Sequence, residues 1–240
     1  MLLYYSSYYY GFYFDDPLFV LSMVLIIAAL IITAVAQAKV KSSFAKYSQM
    51  PANLTGAAAA ERLLAANGVY NVTITRTSGH LSDHFDPKTN TIRLSEAVYD
   101  CATVAAVGVA CHEAGHALQY AKGYAPIKLR NAIIPVTRIG SSLAMPLIFL
   151  GFLFAPVLAE IGVAFYALST LFQLITLPVE FNASRRALRS IEDFNILYDD
   201  AQKKGAKSVL SAAAMTYLGA LLASLAQLLR LMAMVNRRRK

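Results

Sequence analysis

The 240-residue chain has no tryptophan, only two cysteines and little charge, with Asp, Glu, Lys and Arg together making 15% of it. Each scarcity excludes a class. Cys101 and Cys111 cannot build a disulfide framework, and their spacing is not that of a thiol-ligated zinc site. So few charges beside 57% hydrophobic residues exclude a disordered or nucleic-acid-binding tail. Acidic residues are scarcer than basic ones, 14 against 22, giving a formal charge of +8. In a chain with a mean hydropathy of +0.49, that excess marks the cytoplasmic side of a membrane rather than a nucleic-acid partner. Histidine is rarer still: there are four, and two of them fall within one pentapeptide.

What the chain does have is long apolar runs. A bilayer core takes about 20 apolar residues, and four stretches qualify. They are Pro17–Ala38, Ile139–Ala159, Ile161–Val179 and Ser208–Leu229. The second and third meet at Glu160 and are expected to form a tight helical hairpin. The first lacks a basic leader and follows a Tyr-rich segment with Asp15 and Asp16, so it is expected to be an uncleaved anchor rather than a signal peptide. Residues 1–17 and the turn at Glu160 carry no Lys or Arg, whereas 39–138 carries eleven and 180–207 carries six. The positive-inside rule therefore puts the N-terminus outside and both basic segments in the cytoplasm, and the expected location is a bacterial plasma membrane. Arg237, Arg238, Arg239 and Lys240 oppose a fourth crossing; the last run is re-entrant, packs on the soluble part, or crosses because the earlier charges prevail.

This divides the chain into an N-terminal segment and anchor (1–38), a cytoplasmic part (39–138), a transmembrane hairpin (139–179), a cytoplasmic helix (180–207) and a C-terminal hydrophobic helix with a basic tail (208–240). The fold class is a mainly α membrane protein with a small α+β cytoplasmic part and about four transmembrane or membrane-embedded helices. Within 39–138, Thr55 is a cap for an Ala-rich helix over 57–67, and Gly68 stops it. Val69–Thr75 alternates as a strand, Asp86–Asn90 is a turn, and Thr91–Leu94 is a second strand whose edge is open to an extended substrate. Ser95 then caps one helix from Glu96 to about Lys122, ended by Gly123.

That helix carries His112-Glu113-Ala114-Gly115-His116, a His-Glu-x-x-His pattern. One turn apart on a helix, the two imidazoles share a face and can hold one metal ion. Glu113 stands beside them as a base for a metal-bound water. Two neutral imidazoles and one carboxylate suit Zn2+ and leave a fourth position for that water. Among the carboxylates, Glu180 is the expected third ligand: it ends the third apolar run and topology returns it to the side of His112. Glu160 falls on the opposite side. Cys111, about 100° around the helix from His112, is a small buried residue rather than a ligand. The small residues Gly108, Ala110, Ala114, Gly115 and Ala117 allow neighbouring backbones close to this helix.

The anchor, Leu81–Pro87, Ile92–Glu96, Val104–Gln119 and Leu177–Ala187 together resemble the YugP-type membrane zinc metallopeptidases, distant relatives of the HtpX and CAAX prenyl endopeptidase class of gluzincins. The resemblance implies a zincin-like fold for the cytoplasmic part and Glu180 as the third zinc ligand, within Glu180-Phe181-Asn182-Ala183-Ser184-Arg185. The wider class has Asp four residues after the ligand, supporting a metal-ligating histidine. This chain has Ser184 there, and Asn182 two positions after the ligand. Arg185 and Arg186 are expected to face phosphate headgroups or bridge to carboxylates, or else to form an ordinary juxtamembrane basic cluster. Asp83 and His84 stand before the hairpin turn, either holding it or, for His84, donating to an oxyanion. His80 has no supported role.

The expected function is a zinc-dependent endopeptidase at the cytoplasmic membrane face, with the bilayer and a peptide or membrane-protein substrate as partners. The alternative is a non-catalytic metal-binding adaptor or pseudo-peptidase, for which Ser184 speaks and against which Glu113 speaks. A metal transporter would show paired broken helices or an internal repeat, and the sequence has neither. Asn53, Asn71 and Asn182 open Asn-x-Ser/Thr triplets on the expected cytoplasmic side, so none is read as glycosylated.

Overall fold

A computed structural model describes residues 16–79 and 82–237. His80 and the Tyr-rich N-terminal segment lie outside the described residues, as does the end of the basic tail. The order of elements is α1 (Pro17–Tyr47), α2 (Gly56–Ala66), β1 (Thr73–Thr77), β2 (His84–Asp86), β3 (Thr91–Ser95), α3 (Glu96–Tyr99), α4 (Val104–Ala121), α5 (Ala125–Leu153), α6 (Pro156–Asp193) and α7 (Asp200–Arg237). The chain is a mainly α membrane protein. Four of its helices, α1, α5, α6 and α7, are long and apolar enough to cross a bilayer.

The chain divides into two compact units. One holds the described residues up to Ala34, Arg130–Ile175 and those from Tyr217 on; the other holds Val35–Leu129 and Thr176–Thr216. The first is made of apolar helices whose outer faces expose Val24, Ile27, Leu30, Leu143 and Phe149, a surface that water would not tolerate and lipid does. Its contacts inside are made through small residues. Gly162 of α6 lies against Ala144 and Ile148 of α5, Gly219 of α7 against Thr33 of α1, and Ser224 Oγ against Thr170 Oγ1 at 2.8 Å. The hairpin between α5 and α6 turns at Phe154 and Ala155, not at Glu160. Pro156 has no N–H and suits the first turn of a helix, so α6 starts there and carries Glu160 within it. The last apolar run lies within one unbroken helix of 38 residues, about 57 Å at 1.5 Å per residue.

The second unit contains a three-stranded sheet of order β1-β3-β2 under helices. β1 pairs with β3 in parallel, and β2 pairs with it antiparallel across the Asp86–Asn90 turn, where Asn90 takes φ 51° and Asp86 accepts from the Lys88 amide and Thr89 hydroxyl. β3 is therefore the central strand, and the expectation that its edge is open is wrong. Ile92 and Leu94, both fully buried, explain why: they need cover that only a middle strand receives. β1 begins later than the alternation in 69–75 implied.

Thr55 caps α2 as expected, its hydroxyl accepting from the Ala58 amide, and Gly68 follows at φ 75°. The expected long helix after Ser95 is two helices. The Ser95 hydroxyl and amide are taken by the Asp83 carboxylate, so Ser95 makes no side-chain cap. The chain then breaks at 100–103 because the backbone around Ala102 and Val104 bonds to Ala52 and Met50. Thr103 restarts it as the cap of α4, accepting from Ala106. α4 is sealed between α2, the sheet and α6, with Val107, Cys111, Ala114 and Leu118 in a core shared with Leu63, Ile92, Ile191 and Leu197. Cys111 is thus a buried core residue, and burial pushes its thiol pKa up.

Candidate metal centre

The site is built from α4 and the middle of α6, both in the second unit. His112 and His116 sit one turn apart on α4, ring centroids 4.7 Å apart and nearly perpendicular. Glu180 comes from α6, which approaches α4 closely because position 115 is glycine. A Cβ there would lie 2.6 Å from the carbonyl oxygen of Ala183, one turn beyond Glu180. The glycine inside the His-Glu-x-x-His pattern thus brings the third side chain within reach.

Glu180 Oε2 stands 3.2 Å from His112 Nε2 and 3.4 Å from His116 Nε2. The three residues can each offer one ligand atom to a common metal, these atoms lying within 4.8 Å of one another. Two ligands on a tetrahedral zinc at about 2.0–2.1 Å are about 3.3 Å apart, so the set fits the ion in spacing and in donor type. The His112 side chain keeps 15% of its surface exposed while Glu180 keeps 3%, so the set opens on the side of His112.

Each imidazole is held from behind. Ser184 Oγ is 3.1 Å from His112 Nδ1, and Gln119 Oε1 is 3.1 Å from His116 Nδ1. The Gln119 amide is oriented by its other end: Nε2 donates to the Val179 carbonyl at 2.7 Å and to Asn182 Oδ1 at 3.1 Å, leaving Oε1 to accept from His116. Arg186 Nε donates to the same Asn182 oxygen at 2.8 Å, and its guanidinium lies over the Tyr124 ring. With both Nδ1 atoms facing an oxygen acceptor, both Nε2 atoms present lone pairs toward Glu180. Ser184, four residues after Glu180, therefore stands behind His112. Arg186 bridges to an amide and makes no ion pair with a carboxylate among the described residues.

Burial lowers the pKa of His116, but the hydrogen bond that its protonated Nε2 donates to the Glu180 carboxylate and the charges of Glu113 and Glu180 outweigh it and raise it overall. These carboxylates hold a positive charge at this point, whether on an imidazole or on a cation. Glu113 is buried on α4 and makes no hydrogen bond or ion pair among the described residues, which leaves its carboxylate uncommitted beside the three-residue set.

Residues 22–236 match the family described as "Putative neutral zinc metallopeptidase". The chain is also 46% identical over 210 residues to "Putative membrane protease YugP" of Bacillus subtilis (strain 168), covering 86% of this chain and 92% of that relative. The chain belongs to this zinc metallopeptidase family. No solved structure matches it.

Within this family member the remaining expected residues fall outside the three-residue set. Asp83 holds the turn through Ser95. His84 opens β2, exposed, with Nδ1 donating to the Ser82 carbonyl at 2.6 Å. Sequence reasoning did not single out Gln119. A glutamine three residues after His116 on the same helix, in a run of buried residues, was the available signal.

Proposed function

We propose that the chain is a membrane-embedded zinc-dependent endopeptidase that hydrolyses peptide bonds near the cytoplasmic membrane face. The observation that carries this reading is the uncommitted Glu113 carboxylate next to a set that fits zinc; a purely structural metal site has no use for such a base. Family membership and the membrane protease relative support it. Ser184, the feature that favoured an adaptor, supports His112 in place and so no longer speaks against catalysis.

In this reading His112, His116 and Glu180 hold the ion. When bound, zinc supplies Lewis-acid polarisation of the scissile carbonyl and acidifies water. Glu113 accepts the proton of the attacking water and returns it to the leaving amine. Ser184 and Gln119 keep both ligating imidazoles in the Nδ1–H tautomer. His84 is the side chain assigned to donate to the developing oxyanion. The substrate backbone pairs along the outer strand β2, which touches α4 where Phe85 meets Tyr120 with ring centroids 6.1 Å apart.

The test is cleavage of casein by the full chain in detergent, before and after stripping with a chelator and after adding zinc back. Loss on stripping and recovery with about one zinc per chain are the expected results. Activity that survives removal of all metal would contradict the reading.

A further inference from the structure

A groove of about 640 Å³ lies between the second half of α6 and the start of α7, within the second unit. Phe181, Arg185, Leu188, Arg189 and Glu192 recur every three or four residues along α6, so they form one stripe. Facing them on α7 are Lys203, Lys204 and Lys207, with Leu210, Ala214 and Met215 beyond. Five cations and two carboxylates, Glu192 and Asp200, line the space. None of the five cationic side chains makes an ion pair or a hydrogen bond among the described residues. The surplus positive charge is thus not neutralised by the protein.

The groove also changes character along its length. Its charged end is formed by Arg189, Lys203 and Lys204. Its other end is apolar and solvent-facing, with Phe181 41% and Met215 39% exposed. That end adjoins the long apolar runs of the same two helices, which the sequence places at Val179 and Ser208. A ligand that matches must carry negative charge at one end and apolar chains at the other, and must reach the groove from the membrane border.

We propose that this groove is a binding site for the headgroup of an anionic phospholipid, its phosphate among Arg185, Arg189, Lys203, Lys204 and Lys207 and its acyl chains along Phe181 and Met215. An acidic protein segment would satisfy the cations but leave the apolar end without a partner, so the lipid accounts for more of the lining. None of the three metal-set residues lines the groove, although Ser184, which stands behind His112, is in its wall; the proposal does not depend on proteolysis.

The lack of tryptophan in the chain provides a silent background for the test. A single reporter, Met215→Trp, is placed in the full-length protein in phosphatidylcholine vesicles containing either brominated phosphatidylglycerol or brominated phosphatidylcholine. Val24→Trp, on the exposed apolar face of α1, reports bulk lipid. At Met215→Trp the brominated anionic lipid should quench at a mole fraction at least about five-fold lower, the factor that one engaged cation supplies. At Val24→Trp the two lipids should quench alike. Replacing Arg189, Lys203 and Lys207 by Gln should abolish the preference, and Lys203→Arg with Lys207→Arg should keep it. Should Met215→Trp fail to fold, Ser211→Trp reports from the same groove. Equal quenching by the two lipids at the groove would overturn the proposal, as would a preference indifferent to the Gln substitutions. Displacement of the quenching lipid by soluble polyglutamate but not by anionic vesicles would assign the groove to an acidic segment instead, and would overturn it too.

Discussion

At the scale of single residues, the two histidines differ in what stands behind them. His112 leans on a hydroxyl, and His116 on an amide that is itself anchored at two points. Support of this kind is worth about 10- to 100-fold in metal affinity. Gln119→Ala should therefore weaken zinc binding by about that factor, measured by competition with a coloured chelator. Ser184→Ala should weaken it less, and Ser184→Asp should restore or exceed the wild-type value, because a carboxylate accepts from His112 Nδ1 more strongly than a hydroxyl does. Equal affinities for all four proteins would show that these contacts do not orient the ligands. The residue types alone gave His112, His116 and Glu113, because a one-turn spacing needs only a helix to become a site. Gln119 was not visible in that way. Its importance comes from Val179 and Asn182, sixty or more positions away, and no local pattern encodes such a partner.

Among the elements, the contact of α4 with α6 sets the site. Gly115 faces the Ala183 backbone with no room for a methyl group. Gly115→Ala should push the helices apart at a cost of about 1–3 kcal/mol, seen as a lower Tm, and should reduce zinc occupancy because Glu180 moves with Ala183. Gly108→Ala on the same helix, where the nearest atoms of Ala206 would be 3.6 Å away, should leave both nearly unchanged. The long apolar runs and the Thr55 and Gly68 signals were legible because each is a local property of a few consecutive residues. The break between α3 and α4 was not. It arises from hydrogen bonds to Met50 and Ala52, which precede it by fifty residues. The position of β3 in the middle of the sheet likewise depends on the parallel pairing with β1, which a hairpin signal does not reveal. At the α5–α6 turn, Pro156 gave a stronger local signal than the charge of Glu160.

For the molecule as a whole, the distribution of Lys and Arg makes a statement about sidedness. The proposed topology puts the eleven basic residues of 39–138 and the six of 180–207 in the cytoplasm, and with them the metal set and the basic groove. In a Cys101→Ser background, a cysteine replacing the exposed Tyr198 should escape an impermeant maleimide in intact cells and react once the membrane is permeabilised. Labelling in intact cells would invert the topology. Buried Cys111 should stay unlabelled throughout, since its thiol is both inaccessible and hard to ionise.

The central claim is that Glu113 does chemistry beside a metal it does not hold. The most direct measurement is zinc content and casein cleavage for purified wild type and Glu113→Gln, side by side. About one zinc in each and a fall in cleavage of about 10²- to 10⁴-fold in the variant are the expected results. A Glu113→Gln protein that keeps its zinc and cleaves like wild type would contradict the claim.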